Sequence, residues 1–404
     1  MSNSTVQGAT GQVVILLAIA SFASTSAVRI LDPAIPALSA EFALTTGQTA
    51  SVLTAFALTY GVLLFVYGPI GDRWGKYRTL TIAMFACVIS NLLIAWSETF
   101  DELMLGRMLA AVTGAAIVPL AMAWIGDHVP YEERQATLAQ FTIGSILGIT
   151  SGQFLGGIFT DTVGWRGAFY FLAGVYLVVG LVLWKKRHLA PETTTQQIRL
   201  SKVLVPLATV LRSGWARLVL LTVLFEGAVV FGVLSYIPAF LQFRYGMTAA
   251  LAGTITSLFA IGAFVYVFRA RWLVVRFGEV SMVRLGGVVL TVCYATYLLI
   301  DSVAFAVAAA IFTGLGYYLI HAVLQTNATQ MAPEVRGTAV SLTSSCLVLG
   351  QALGVWVGGW VVDHWGMVWV LWIALMCVPV MALVFAYFLP KCRTTENTQS
   401  PTVQ

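Results

Sequence analysis

The sequence predicts an all-α polytopic membrane protein whose twelve transmembrane helices form two six-helix bundles. Of its 404 residues, 59% are hydrophobic and only 10% are charged, and the mean hydropathy is +0.88. A typical soluble domain is about 45–50% apolar and about 25% charged. The apolar residues also gather into long runs, and a membrane helix needs roughly 20 such residues. A soluble enzyme of one to three domains is therefore excluded.

The apolar runs follow one another along the chain and are bounded by charged or turn residues. In order they cover 12–38, 47–70, 79–97, 103–126, 136–160, 166–184, 217–241, 249–272, 281–300, 303–331, 337–362 and 367–389. Most are too long for the strands of a membrane barrel, which are segments of about ten residues. A polar stretch divides them into six and six. The predicted domains are an N-terminal bundle at 1–184, a cytoplasmic central loop at 185–216, a C-terminal bundle at 217–390 and a cytoplasmic tail at 391–404.

The basic residues predict the orientation of these helices. With both termini in the cytoplasm, the inner loops and ends hold most of the 22 Lys and Arg residues. The outer loops then keep only Arg166 and Arg244. An excess of Lys and Arg is typical of cytoplasmic loops. We therefore expect a multi-pass protein of a bacterial inner membrane with both termini cytoplasmic.

The two halves of the chain repeat a pattern at an offset of 202 residues. The repeated series are Glu132-x-Arg134 with Glu334-x-Arg336, and Gly156-Gly157-x-x-x-Asp161-x-x-Gly164 with Gly358-Gly359-x-x-x-Asp363-x-x-Gly366. At an offset of 203, Arg73 and Gly75 have weaker partners in Arg276 and Gly278. An internal duplication of a six-helix unit explains this order, and such repeats are typical of secondary transporters.

Residues 68–78, which close the second run and form the next inner loop, read GPIGDRWGKYR. This stretch resembles the signature G-x-x-x-D-R-x-G-R-K of the major facilitator superfamily, with Tyr77 in place of the usual basic residue. The resemblance implies a transporter with a gating motif on this loop, in which Asp72 faces the inner end of the eleventh helix. A merely solvated turn is the alternative. The expected gating residues are Gly68, Asp72, Arg73, Gly75 and Lys76.

A second motif narrows the branch of the family. Residues 148–157, on the fifth run, read GITSGQFLGG and resemble the antiporter signature G-x-x-x-G-P-x-x-G-G, with glutamine at the proline position. The resemblance favours export by antiport over uptake. Glycines four residues apart lie on one helix face, so ordinary tight helix packing is the alternative. The motif residues are Gly148, Gly152, Gln153, Gly156 and Gly157.

Ionisable residues deep inside the apolar runs are few, and they fall on runs one, four, seven and ten. In the resembled family these four helices line a central cavity. Such residues are costly within a membrane unless they have a partner or a function. The expected substrate-cavity residues are Arg29, Arg107, Tyr317, His321 and Gln325, and the expected proton-coupling residues are Glu226 and Asp32.

Two partners are available to Asp32. Arg107 lies in a stretch that resembles the family's helix-four arginine motif. Its distance from the outer end of the fourth run is similar to the distance of Asp32 from the outer end of the first run. Arg29 lies three residues before Asp32 on the same helix face. A purely structural Arg29–Asp32 pair at a helix end that is broken by proline is also consistent with the sequence.

Glu226 lies near the middle of the seventh run, and the nearest basic residue on that run is Arg217, at its edge. This position makes Glu226 the stronger candidate for the proton-coupling acid, with Asp32 second. A structural role for Glu226, bonded to a neighbour such as Thr222, is the alternative. His321 is expected either to contact substrate or to be a satisfied core histidine.

No phosphate-binding loop, dinucleotide-binding glycine motif or zinc-spaced His/Cys cluster is present, so no catalytic residue, cofactor or metal is expected. The predicted function is proton-coupled efflux of small organic or drug-like molecules by antiport through alternating access. Its expected partners are a small-molecule substrate, protons and the lipid bilayer, with no nucleic acid, and the protein is expected to be a monomer. An uptake or sugar-type proton symporter is the alternative, followed by a non-transporting sensor or a membrane-embedded enzyme.

Overall fold

The structure is a computed structural model that describes residues 3–189 and 201–399. These residues form α-helices joined by short turns, and no strand occurs among them. The helices are α1 (Asn3–Arg29), α2 (Ile35–Glu41), α3 (Thr46–Trp74), α4 (Lys76–Ala95), α5 (Phe100–Gly114), α6 (Ile117–His128), α7 (Tyr131–Thr162), α8 (Trp165–Lys185), α9 (Ser201–Arg212), α10 (Gly214–Glu226), α11 (Ile237–Tyr245), α12 (Ala249–Ser257), α13 (Phe259–Leu299), α14 (Val303–Ala328), α15 (Arg336–Trp365) and α16 (Val368–Gln399). Three 3₁₀ turns, Asp32–Ala34, Arg187–Leu189 and Pro333–Val335, and a π-helix, Gly227–Gly232, complete the elements.

The number of membrane crossings agrees with the predicted twelve. Eleven helical stretches of the described chain are long and apolar enough to span a membrane. One of them, Ala249–Leu299, has 51 residues. At 1.5 Å per residue it is about 75 Å long, more than twice the ~30 Å hydrocarbon layer. Gly278 interrupts it with a φ of 71°, so this stretch provides two crossings. The predicted all-α membrane fold is confirmed.

Breaks in the backbone recur at equivalent places in the two halves. The described residues with positive φ form three pairs at offsets of 202 or 203. They are Ala43 (52°) with Gly246 (63°), Gly75 (89°) with Gly278 (71°), and Gly164 (85°) with Gly366 (96°). Glycine adopts this conformation readily, whereas a residue with a Cβ pays for it. The repeat read from the sequence therefore extends to the backbone conformation of the turns.

The chain divides into two compact units. Unit 1 comprises Met1–Thr45, Thr49–Ile198 and Gly246–Thr254, and unit 2 comprises Thr46–Gln48, Arg199–Tyr245 and Ile255–Gln404. Each unit thus contains most of one half of the sequence together with the first residues of one helix, α12 in unit 1 and α3 in unit 2, from the other half. In unit 1, α1 packs against α7, and in unit 2, α10 and the π-helix pack against α15.

Helices occur in both the predicted central loop and the predicted tail. The predicted central loop contains α9, although residues 190–200 of that loop lie outside the described chain. The last helix does not end where the apolar run ends. Instead, α16 continues past Pro390 to Gln399, so most of the predicted tail is helical.

Candidate functional site

A buried ion pair lies in unit 1 where α1 ends. Nη1 of Arg29 is 3.1 Å from Oδ2 of Asp32, and both side chains are 1% exposed. The pair forms here because α1 ends at Arg29 and Asp32 opens a 3₁₀ turn with Pro33 in its first positions. Nε2 of Gln153 donates to the same carboxylate oxygen over 3.4 Å. Of the two partners that the sequence allowed, the structure thus pairs Asp32 with Arg29.

Arg107 is held by other groups. Its Nη1 donates to the carbonyl oxygen of Ala27 over 2.9 Å, and its guanidinium lies 4.0 Å from the ring centre of Phe56. The side chain is fully buried, and its Nε and Nη2 have no hydrogen-bond partner among the described residues. An Asp32–Arg107 ion pair is absent from the described part of the chain. Arg107 instead connects α5 to α1 and α3.

Unit 2 contains a second buried pair. Nδ1 of His321 lies 2.9 Å from Oε2 of Glu226, whose side chain is 0% exposed. Oε1 of Glu226 has no hydrogen-bond partner in the described chain. The hydroxyl of Thr222 donates to the carbonyl oxygen of Leu218, so the alternative pairing of Glu226 with Thr222 is not formed. The sequence identified both members of this pair but did not join them.

The backbone changes at Glu226. The α-helical pattern of α10 ends at this residue, and the π-helix begins at Gly227. A single π-helical turn within a helix is rare and occurs frequently at functional sites. A Cβ at Gly227 would overlap the carbonyl oxygen of Leu347 on α15, which explains why only glycine fits there.

Aromatic rings surround His321. The ring of Tyr317 stacks on the imidazole with centres 4.8 Å apart and planes 18° apart. Phe231 packs edge-on against Tyr317 at 4.8 Å. Gln325, one turn further along α14, is exposed. The predicted stripe of Tyr317, His321 and Gln325 therefore exists, but its buried part belongs to the Glu226 pair.

The antiporter-like motif on α7 packs against α1. Every fourth residue there is a glycine whose added Cβ would overlap the main chain of α1. Gly148, Gly152 and Gly156 meet, in order, the carbonyl oxygens of Phe22, Ser26 and Ile30. The row is repeated in unit 2, where Gly350 and Gly354 on α15 meet the carbonyl oxygens of Leu224 and Ala228. Both rows permit backbone contact between helices.

The gating-motif residues lie at the α3–α4 turn of unit 1. Lys76 is 3.3 Å from Oδ1 of Asp72 and also pairs with Asp127 on α6. Gly75 has the positive φ that this turn requires. Arg73 is exposed, and a Cβ at Gly68 would meet nothing within 4 Å. Asp127 was missed by sequence reasoning, and its only signal was an acid at the end of the fourth run.

Two carboxylates that the sequence used only as markers of the repeat bind backbone N–H groups. In unit 1, Asp161 accepts from Ala249 over 3.2 Å and from Ala250 over 2.6 Å, at the start of α12. In unit 2, Asp363 accepts from Gly47 over 2.8 Å, at the start of α3. A negative charge is favourable at a helix N-terminus. The first residues of α12 belong to unit 1 and those of α3 belong to unit 2, each with the opposite half of the sequence. Each of these exchanged helix starts is bound by one of the two repeated aspartates.

No group of three or more His, Cys, Asp or Glu side chains in the described chain is placed to hold a metal ion. The arrangement comprises many spanning helices, buried ionisable pairs and glycine-lined helix contacts. These features define a polytopic helical membrane protein with ionisable pairs buried inside its units.

The family is shown by comparison with known proteins. The model of the Major Facilitator Superfamily matches residues 17–347 and again 252–404. The chain therefore belongs to this superfamily. The structure resembles a bacterial homologue of the human lysosomal transporter Spinster (TM-score 0.77, 16% identity, 100% of each chain) and a D-xylose–proton symporter (TM-score 0.76, 15% identity, 94% of this chain and 98% of the other). At these identities the likeness shows the fold alone.

Curated relatives carry multidrug names. A putative multidrug resistance protein MdtD of Pectobacterium atrosepticum is 28% identical over 184 residues, which is 46% of this chain and 39% of that protein. The multidrug export protein EmrB of Haemophilus influenzae is 24% identical over 169 residues, 42% of this chain and 33% of that protein. The matches thus extend over only a third to two fifths of these relatives. The family and the relatives' names indicate a transporter and not an enzyme.

Proposed function

We propose that this protein is a proton-coupled transporter that exports small organic or drug-like molecules by antiport through alternating access. The observation that carries the proposal is the buried Glu226–His321 pair. Multidrug names among the relatives and the glycine row on α7 support the direction of transport.

The pair suits proton coupling because both members exchange protons. Histidine is the side chain whose ordinary protonation equilibrium lies nearest neutral pH. A carboxylate and an imidazole 2.9 Å apart can hold one proton between them or bind a second one. The free oxygen of Glu226 and the irregular backbone after it provide a place where a second proton or a substrate group can act. We propose Glu226 as the coupling acid and Asp32 as the second acid.

The remaining predicted roles follow from this scheme. Arg29 and Arg107 in unit 1, and Tyr317, His321 and Gln325 in unit 2, are proposed to contact substrate. The Asp72–Lys76–Asp127 cluster is proposed to hold one gate closed. We also propose a monomer in a bacterial inner membrane with both termini cytoplasmic, which the arginine and lysine distribution and the bacterial relatives support.

A second candidate function is proton symport in the uptake direction. It is favoured by Gln153, which stands where the antiporter signature has proline and which donates to Asp32. A proline at this position would only shape the helix, whereas Gln153 also binds Asp32, the buried acid of unit 1. The direction of substrate movement relative to protons separates the two candidates.

The test uses purified protein in proteoliposomes with ethidium, Hoechst 33342 and D-xylose as probes. Antiport predicts that an imposed pH gradient drives a dye against the proton flow, whereas symport predicts that D-xylose moves with the protons. Glu226→Gln should retain dye exchange without a gradient and lose gradient-driven accumulation. Glu98→Gln, the same change at an exposed acid, is the matched control. Wild-type accumulation by Glu226→Gln would transfer the coupling role to Asp32.

A further inference from the structure

The exposed face of α13 before its break at Gly278 combines apolar and basic side chains. Phe268, Trp272 and Val275 are 82%, 57% and 82% exposed, and their spacing of four and three residues places them on one helix face. Arg269 and Arg276, seven residues apart, lie at one edge of this face. The face belongs to a membrane-spanning stretch, so its apolar side chains are solvated by lipid.

Arg271 lies at the opposite edge of the same face. All three arginines are exposed, and none has a hydrogen bond, an ion pair or a ring contact in the described part of the chain. The nearest acid in sequence, Glu279, is engaged by Nδ2 of Asn327 over 3.4 Å. No acid of the described chain therefore forms an ion pair with these three arginines.

The equivalent turn in the first half is built differently. At the offset of 203, Arg269 and Arg271 replace Val66 and Gly68. Val275 replaces Asp72, the acid that pairs with Lys76 in the first copy. Glu279 in turn replaces Lys76, and Ser281 replaces Arg78, so the net charge of the two stretches is equal. The first copy places Lys76 and Arg78 after its turn, whereas the second copy places Arg269 and Arg271 before the break at Gly278, on the helix. This asymmetry distinguishes the face from a basic loop that every crossing would have.

We propose that the arginine face, defined as Arg269, Arg271 and Arg276 with Phe268, Trp272 and Val275, is a docking surface for anionic phospholipid headgroups. Guanidinium groups bind phosphate through paired hydrogen bonds. Tryptophan is enriched where membrane meets water. Arg269 and Arg276 are about 10 Å apart along the helix axis, a span that includes a headgroup layer of roughly 5–7 Å. Each arginine near an anionic surface strengthens binding about fivefold.

The test measures lipids bound to the full-length protein in detergent by native mass spectrometry. The probe is an equimolar mixture of phosphatidylglycerol and phosphatidylcholine. We expect the wild type to retain phosphatidylglycerol at least fivefold over phosphatidylcholine, and R269Q/R271Q/R276Q to lose most of this preference. R269K/R271K/R276K keeps the charge and should keep most of the preference. K185Q/K186Q/R187Q removes three charges at the end of α8 and should reduce the preference much less.

Several results would overturn the proposal. They are equal retention of the two lipids by the wild type, an unchanged preference in the triple glutamine variant, and an equal loss in the α8 control. Inorganic phosphate is added in a parallel arm at the lipid concentration. Lack of competition supports a lipid surface, whereas full competition would show a free-anion site instead. If the glutamine variant does not fold, loss of preference on raising the ionic strength of the wild type supports the proposal, and an unchanged preference rejects it.

Discussion

The two units bury charge in different ways. Unit 1 buries two guanidinium groups, Arg29 and Arg107, with one carboxylate, Asp32. Unit 2 buries one carboxylate, Glu226, against an imidazole, His321. A guanidinium group is effectively always protonated, whereas an imidazole changes its charge near neutral pH. The same six-helix plan therefore places two guanidinium groups near one carboxylate in one copy and an imidazole beside a carboxylate in the other.

The two pairs also differ in what the loss of one member leaves behind. Loss of either charge in the Arg29–Asp32 pair at the end of α1 leaves the other charge buried and unpaired. In a carboxylate–imidazole pair, by contrast, a proton can move from one group to the other without changing the net charge of the pair. The contrast also follows the backbone, since a proline-containing 3₁₀ turn follows Arg29 and a π-helix follows Glu226.

The largest effect is expected at the Arg29–Asp32 pair. Arg29→Leu should destabilise the protein in detergent by about 3–5 kcal/mol, because it leaves Asp32 buried without its ion-pair partner. Arg107→Leu should cost less, because Asp32 keeps Arg29. The Arg29→Leu/Asp32→Asn double variant should recover much of the loss. Thermal unfolding monitored by size-exclusion fluorescence measures all four proteins, and an Arg107→Leu defect as large as Arg29→Leu would contradict the pairing.

The Glu226–His321 pair should respond chiefly through transport. His321→Phe is expected to lower gradient-driven transport about 100-fold, the lower range of a positioned proton donor or acceptor. His321→Gln, whose amide can still donate to Glu226 but takes up no proton, should preserve folding and dye exchange and lose gradient-driven transport. Proteoliposome flux with and without an imposed pH gradient is the measurement. Wild-type gradient-driven flux in His321→Gln would show that the histidine only packs.

The glycine rows predict an effect that the two units share. Gly152→Ala in unit 1 and Gly354→Ala in unit 2 place a Cβ on a carbonyl oxygen of the facing helix. Each should cost about 1–3 kcal/mol, the usual penalty of overpacking. Gly174→Ala on α8, where a Cβ meets nothing within 4 Å, is the control and should be neutral or stabilising. Unfolding temperatures in detergent measure these losses of stability. If Gly152→Ala is tolerated and Gly354→Ala is not, the two rows do not share the predicted effect.

Much of the fold and part of the site could be predicted from the sequence. Hydropathy and run length together predict the spans, because only helices and closed barrels satisfy the backbone in lipid and most of the runs are too long for barrel strands. The repeat at 202 located the turns at Gly164 and Gly366, whose positive φ the structure shows. Pairing across helices was not predictable in the same way. The sequence offered Asp32 two arginines and did not connect Glu226 with His321, because such contacts depend on helix rotation and on the π-helix.

The smallest expected effects concern the two carboxylates at helix starts. Asp161 accepts two backbone N–H groups of α12, and Asp363 accepts that of Gly47. Asparagine keeps an acceptor oxygen but removes the charge, so Asp161→Asn and Asp363→Asn should each cost about 0.3–1 kcal/mol. Because the two sites lie in separate units, the double variant should lose the sum of both within about 0.5 kcal/mol. Glu98→Gln provides the charge-matched control at an exposed acid. Chemical unfolding in mild detergent measures these differences. A double variant that loses clearly more than the sum would show that the two exchanged helix starts are coupled, and the units would then have to be treated as one cooperative system.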